Sequence, residues 1–89
     1  EKMNLSILDT GGSLMVISQF TLCGDLRKGR RPSYINAENP DRGLEVYEYM
    51  VNKFRDKGIE TVTGEFGATM DIDLINQGPA TFIIDSKKL

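Results

Sequence analysis

Asn39-Pro40 and Gly58 bracket the stretch that most constrains the fold. Between them Leu44, Tyr47, Met50, Val51 and Phe54 recur at helical spacing, and Arg42, Glu45, Glu48, Asn52, Arg55 and Asp56 take the other faces. Asn39 has the side chain to accept a hydrogen bond from an orphan N–H as N-cap. Pro40 falls in the first turn, where a missing N–H costs nothing, and Gly58 supplies a left-handed end. A helix with one apolar face needs a surface to cover, and the segments on either side read as strands. The predicted class is α+β, a mainly antiparallel or mixed, barrel-like β-sheet with one packed helix.

The strand signals are uneven. Met3 to Leu8 reads as a short strand, and Asp9-Thr10-Gly11-Gly12 as the turn of a hairpin. Ser13 to Leu22 holds Leu14, Met15, Val16, Ile17, Phe20 and Leu22, an almost continuous apolar run that predicts a central strand buried on both faces. Gly24 to Asn39 is polar, basic and broken by Gly29 and Pro32, so it predicts a long surface loop of the kind that often carries function. Ile59 to Thr63 is a further short strand. Phe66, Ala68, Met70, Ile72 and Leu74 alternate with Gly67, Thr69, Asp71 and Asp73, the period of a strand with one buried face and an antiparallel neighbour. Ala80 to Asp85 reads as a last strand, and Lys87-Lys88-Leu89 as a frayed end.

Eighty-nine residues fit one small domain, 1–89, with a thin stability margin that a partner subunit would relieve. Its start at Glu1-Lys2-Met3, without a preceding turn or cap, points to an N-terminal truncation. No apolar stretch reaches the length of a membrane helix, and the single Cys23, which cannot form an internal disulfide, suits a reducing cytoplasm. Histidine is absent, which excludes Ser-His-Asp and Cys-His chemistry and leaves a zinc site only one Cys and carboxylates. No metal or cofactor is predicted. A net charge of −2 argues against broad nonspecific nucleic-acid binding, DNA included. Arg27, Lys28, Arg30 and Arg31 nevertheless gather four cations around Gly29, either as a solvated loop or as a phosphate-binding patch.

Two segments break local rules. Ser18-Gln19-Phe20-Thr21-Leu22 puts polar side chains where a buried strand would continue with Val or Ile, and Asn76-Gln77-Gly78-Pro79-Ala80-Thr81 sets a Gly-Pro step between strand-like stretches. Such departures mark functional sites. Together the two segments resemble the signature motifs of the D-aminoacyl-tRNA deacylases, Ser-Gln-Phe-Thr-Leu and Asn-x-Gly-Pro-x-Thr, without a mismatch. Arg31-Pro32-Ser33, Pro40-Asp41-Arg42, Thr63-Gly64-x-Phe66 and Ala68-x-Met70 are similar to the family as well, so the resemblance covers essentially the whole chain. Family members carry further strands before the position of Glu1, including a basic residue that lines the site. By that resemblance the chain is the C-terminal portion of a deacylase domain.

The resemblance implies a hydrolase acting on the ester between tRNA and a D-amino acid or glycine, a proofreading step in translation. It assigns the catalytic positions to Ser18, Gln19, Phe20 and Thr21, with the backbone N–H groups of Phe20 and Thr21 as oxyanion donors and the tRNA 2′-hydroxyl assisting. A nucleophilic Thr21 is the other option, although the motif holds no base to activate it. Phe66 and Met70 are implied in the aminoacyl pocket, with core packing an equal account of both. Gly78 and Pro79 are implied as a Gly-cis-Pro chiral filter whose carbonyls exclude L side chains, set into the site of the other subunit of a homodimer. Arg27, Lys28, Arg30 and Arg31 are candidates for acceptor-stem phosphates. The alternatives are an inactive tRNA-binding or dimerisation fragment, or a relative that removes a misacylated L-amino acid from tRNA.

Overall fold

A computed structural model describes residues 4–89. A parallel two-stranded sheet pairs β1, Ser13–Val16, with β2, Glu60–Thr63, in the register Ser13 to Glu60 through Val16 to Thr63. The connection between them contains the long helix, so the nucleus is a β-helix-β crossover, the connection that parallel neighbours require. The helix runs Pro40–Asp56. It begins as the sequence predicts: Asn39 accepts from the Asp41 N–H at 2.9 Å, and Pro40 occupies the first turn. Gly58, with φ of 80°, follows its end. The class is α+β.

The buried core is small and sits where the helix meets β2. Val51 and Ile59 are its buried apolar residues among those described, and Thr61 is buried beside them. The Thr61 hydroxyl donates to the Ile59 carbonyl at 3.0 Å, and Arg55 Nη2 donates to the Thr61 carbonyl at 3.0 Å. The buried threonine therefore brings no unsatisfied polar atom into the core. Tyr47 and Phe54 are half-buried, whereas Leu44 and Met50 at the margins of the stripe remain partly exposed. Tyr47 also ties the helix to β1, its hydroxyl donating to the Val16 carbonyl at 2.7 Å.

Several expected strands take other forms. Met3 lies outside the described residues, and in place of the hairpin Ile7–Thr10 form a single helical turn. Ser6 and Asp9 make a reciprocal capping box: Ser6 Oγ accepts from the Asp9 N–H, and the Asp9 carboxylate accepts from the Ser6 N–H at 2.8 Å. The Ser6 backbone N–H, and after it the Ser6 side chain, hold the Asp9 carboxyl below its ordinary range. Gly11, with φ of 69°, ends the turn, so the Asp-Thr-Gly-Gly signal belongs to a helix terminus.

The run Ser13 to Leu22 is strand only as far as Val16, and its side chains alternate between exposed and half-buried instead of being covered on both faces. Phe20–Cys23 form a 3₁₀ turn. The alternating segment 66–74 turns at Gly67, with φ of 77°, and the Ala68 N–H donates to the Glu65 carbonyl at 3.1 Å. Neither this segment nor Ala80 to Asp85 joins a ladder among the described residues, because alternation prepares a face and a strand still needs a neighbour's N–H and C=O groups. Ile75 and Ile83 are 96% and 95% exposed. The radius of gyration, 15.5 Å, accordingly exceeds the roughly 12 Å of a compact chain of this length. In place of a frayed end, Ser86–Lys88 form a 3₁₀ turn capped by Asp85, which accepts from the Lys87 N–H at 3.0 Å.

With so small a core, one buried side chain carries much of the stability. Val51→Ala is expected to cost about 2 kcal/mol in urea unfolding. Val46→Ala, on the exposed side of the same helix, is expected to stay within about 0.5 kcal/mol.

Candidate functional site

Because β1 and β2 are parallel, their C-terminal ends lie side by side, and the segments leaving them start from one edge. Ile17 and Gly64 are the first residues beyond Val16 and Thr63. A side chain at Gly64 would occupy the place filled by the Met70 sulfur, and Ile17 Cδ1 lies 3.4 Å from the same point. The missing side chain thus lets Met70 fold back onto the strand ends. Met15, Ile17, Val62, Gly64, Met70 and Ile72 line most of a cleft of about 240 Å³ there.

Phe66 faces the helix. Its ring is 5.8 Å from that of Tyr47, and a Cβ on Gly43 would stand 3.4 Å from Phe66 Cζ. Phe66 borders a second cleft of about 300 Å³ with Tyr47, Val51 and Arg55. The two residues that the resemblance assigns to one aminoacyl pocket therefore line separate clefts on either side of Gly64-Glu65.

The first motif forms a compact turn beyond β1. Ser18 is half-buried, and Gln19 caps the 3₁₀ turn with its side-chain Oε1 accepting from the Thr21 N–H at 3.3 Å. Of the two proposed oxyanion donors, the Thr21 N–H is thus held by Gln19, whereas the Phe20 N–H has no hydrogen-bond acceptor among the described residues. The Thr21 side chain is exposed and has no base bonded to it among those residues.

The basic segment is joined to this turn. The Asp25 N–H donates to the Ser33 carbonyl at 2.7 Å and the Ser33 N–H to the Asp25 carbonyl at 2.9 Å, closing the loop at its base. Gly29, with φ of 72°, turns its tip. Phe20 packs edge-on against Tyr34, ring centroids 5.0 Å apart. Gly24 lies between: a Cβ there would stand 3.0 Å from the Thr21 carbonyl oxygen and 3.2 Å from Tyr34 Cε1.

Arg27 is not a free cation. Its Nε and Nη2 donate to Asp25 Oδ1 and Oδ2 at 2.9 and 2.7 Å, and its backbone N–H donates to Oδ1 at 3.0 Å. The Arg27 guanidinium, followed by that N–H, holds the Asp25 carboxyl below the usual carboxylate range, and Asp25 raises the Arg27 guanidinium in turn. A lowered carboxyl contributes above its unfolded value near 3.8 and loses that contribution as pH falls through the folded value. The pair is therefore intact at neutral pH. Lys28, Arg30 and Arg31 have no ion-pair partner among the described residues.

Gly78-Pro79 is a cis peptide bond, both residues are exposed, and nothing lies within 4 Å of a Cβ placed on Gly78. Neither residue borders the clefts described above. Asn76 and Thr81 make no side-chain hydrogen bond among the described residues. One chain thus unites the first motif with the basic loop and leaves the second motif apart. Among the described residues no cluster of three or more His, Cys, Asp or Glu could hold a metal ion, and no helix is long and apolar enough to cross a membrane.

The family model described as D-Tyr-tRNA(Tyr) deacylase matches residues 1–85. The chain belongs to this family. It is 56% identical to a D-aminoacyl-tRNA deacylase of Geobacillus sp. (strain WCH70), over 98% of this chain and 57% of that protein. It is 53% identical to one of Koribacter versatilis (strain Ellin345), over 99% and 59%. It is also 56% identical to a Bacillus subtilis (strain 168) protein named an inactive D-aminoacyl-tRNA deacylase, over 97% and 65%. The chain thus spans less than two thirds of the length of these curated relatives.

Sequence reasoning missed Gly24, Asp25, Ser33 and Tyr34 as parts of this candidate site. Asp25 carried a usable signal, since an Asp commonly accepts from the N–H two residues on. The Phe20–Tyr34 contact depends on how the loop closes and has no local signature. Gly24→Ala is expected to destabilise by about 1–3 kcal/mol, because Thr21 and Tyr34 leave little room. Gly78→Ala is expected to stay within about 0.5 kcal/mol, as thermal or urea unfolding of both variants will test.

Proposed function

We propose that the protein is part of an enzyme that hydrolyses the ester of D-aminoacyl-tRNA, and of mischarged glycyl-tRNA, in cytoplasmic quality control of translation. The observation that carries this reading is that both motifs are intact in a chain more than half identical to two proteins named D-aminoacyl-tRNA deacylase. The turn at Ser18 to Thr21 holds the ester, with the Phe20 N–H as the ready donor to the developing oxyanion. The Thr21 N–H joins it when the Gln19 side chain swings aside for substrate. An oriented donor in a site that excludes water is worth several kcal/mol, so no histidine is required.

Met70, from the cleft at the strand ends, and Phe66, from the cleft beside the helix, border the aminoacyl group from the two sides of Gly64-Glu65, and Gly78-Pro79 reaches it from the partner of a homodimer, rejecting L side chains by collision. Its exposure in one chain, with open space around Gly78, agrees with a role that a second molecule completes. The same reading sets this unit in a larger mixed, barrel-like sheet, in which the apolar residues of 72–75 and 82–84 are covered.

A second reading, an inactive tRNA-binding or dimerisation element, is favoured by the 56% identical Bacillus subtilis relative named inactive. Deacylation of D-tyrosyl-, L-tyrosyl- and glycyl-tRNA separates the two. The proposal expects turnover of the D and glycyl esters with the L ester spared; equal rates on D and L esters would sink the chiral filter, and tRNA binding without turnover would favour the second reading. Thr21→Ala keeps the backbone donor, so kcat is expected to fall less than about tenfold. A nucleophilic Thr21 would cost at least roughly a thousandfold.

A further inference from the structure

We propose that the loop closed by Asp25 and Ser33 is a clamp for RNA phosphates in which Lys28, Arg30 and Arg31 make the contacts, Arg27 is an internal tie and Asp25 is a positioning residue. That the RNA is a tRNA rests on the function proposed above; the division of labour within the loop rests on geometry.

Every polar group of Asp25 is engaged. Its backbone N–H and carbonyl close the loop on Ser33, and its two carboxylate oxygens take three N–H groups of Arg27. A side-on guanidinium–carboxylate pair of this kind fixes geometry as well as charge. It pairs the Arg27 charge with a carboxylate, leaving the outer guanidinium N–H groups exposed but their charge compensated, and it holds the chain as it enters the tip. Beyond it Lys28, Arg30 and Arg31 stand exposed around the left-handed Gly29, without an ion-pair partner among the described residues.

Three uncompensated cations on a preformed loop fit a polyanion with repeated charges. Leu26 is the one large exposed apolar side chain inside the loop, against three cations at its tip, which is too little apolar surface for a membrane-inserting segment. The loop base is joined to the Ser18–Thr21 turn through Gly24 and the Phe20–Tyr34 contact. A strand of RNA whose 3′ end occupies that turn therefore passes its phosphates beside these cations.

The test is direct binding of deacylated tRNA, measured by anisotropy between 50 and 200 mM KCl. Each phosphate contact contributes about 0.7–0.9 to the slope of log Kd against log salt. Lys28→Ala, Arg30→Ala and Arg31→Ala are each expected to lower the slope by about that amount. Arg27→Ala is expected to leave it unchanged, and Asp25→Ala to weaken binding without lowering it. A drop in slope for Arg27→Ala equal to that for Arg30→Ala would overturn the assignment, as would unaltered slopes for the three tip variants. Binding to vesicles of anionic phospholipid in place of tRNA would overturn the choice of partner. Set beside the deacylation assay above, hydrolysis with flat slopes sinks the clamp alone, and the expected slopes without hydrolysis uphold the clamp and sink the deacylase.

Discussion

The parallel pairing of Ser13–Val16 with Glu60–Thr63 is the constraint on which the rest of this structure depends. A parallel pair needs a crossover, and the long helix supplies it while covering Ile59 and Thr61 with Val51. The same pairing sends both outgoing segments from one edge. Had the strands been antiparallel, the turn after Val16 and the segment after Thr63 would leave from opposite ends. Tyr47 secures the arrangement by bonding the last carbonyl of the first strand.

From that edge the candidate site is built mainly of backbone. Gly64 makes room for Met70, Gly24 makes room for Tyr34, and the Ser18–Thr21 turn presents a Phe20 N–H that is unbonded among the described residues. Charged side chains enter through the neighbouring loop, where an Asp-Arg pair and a two-hydrogen-bond clasp replace a hydrophobic core as the organising device. Such a loop owes its order to local hydrogen bonds, so its shape is set with little help from the small core.

How much of this was legible in the sequence depends on the range of the interaction. The helix was readable because Asn39, Pro40, the apolar period and Gly58 are all local signals; the end signals stand where expected, while of the apolar stripe Val51 alone is fully covered among the described residues. The strands were harder. Ser6-x-x-Asp9 is as good a capping box as Asp9-Thr10-Gly11-Gly12 is a hairpin turn, and the box prevails because it satisfies two backbone donors at once. Alternation in 66–74 and the apolar run at 82–84 describe faces, while strand pairing is a property of two segments. The two motifs were visible as broken rules. The joining of the first to the basic loop, and the separation of Phe66 from Met70, required the fold.

The function proposed for this family member would make ester hydrolysis rest on positioned backbone groups with no titrating side-chain base. Its most direct test is the pH dependence of kcat/KM for D-tyrosyl-tRNA between pH 5.5 and 7.5, with the uncatalysed rate subtracted. A smooth rise that follows hydroxide, about tenfold per pH unit and without an inflection, is expected. A plateau or bell with an apparent pKa in that interval would contradict it, because such a profile reports an essential side-chain acid or base.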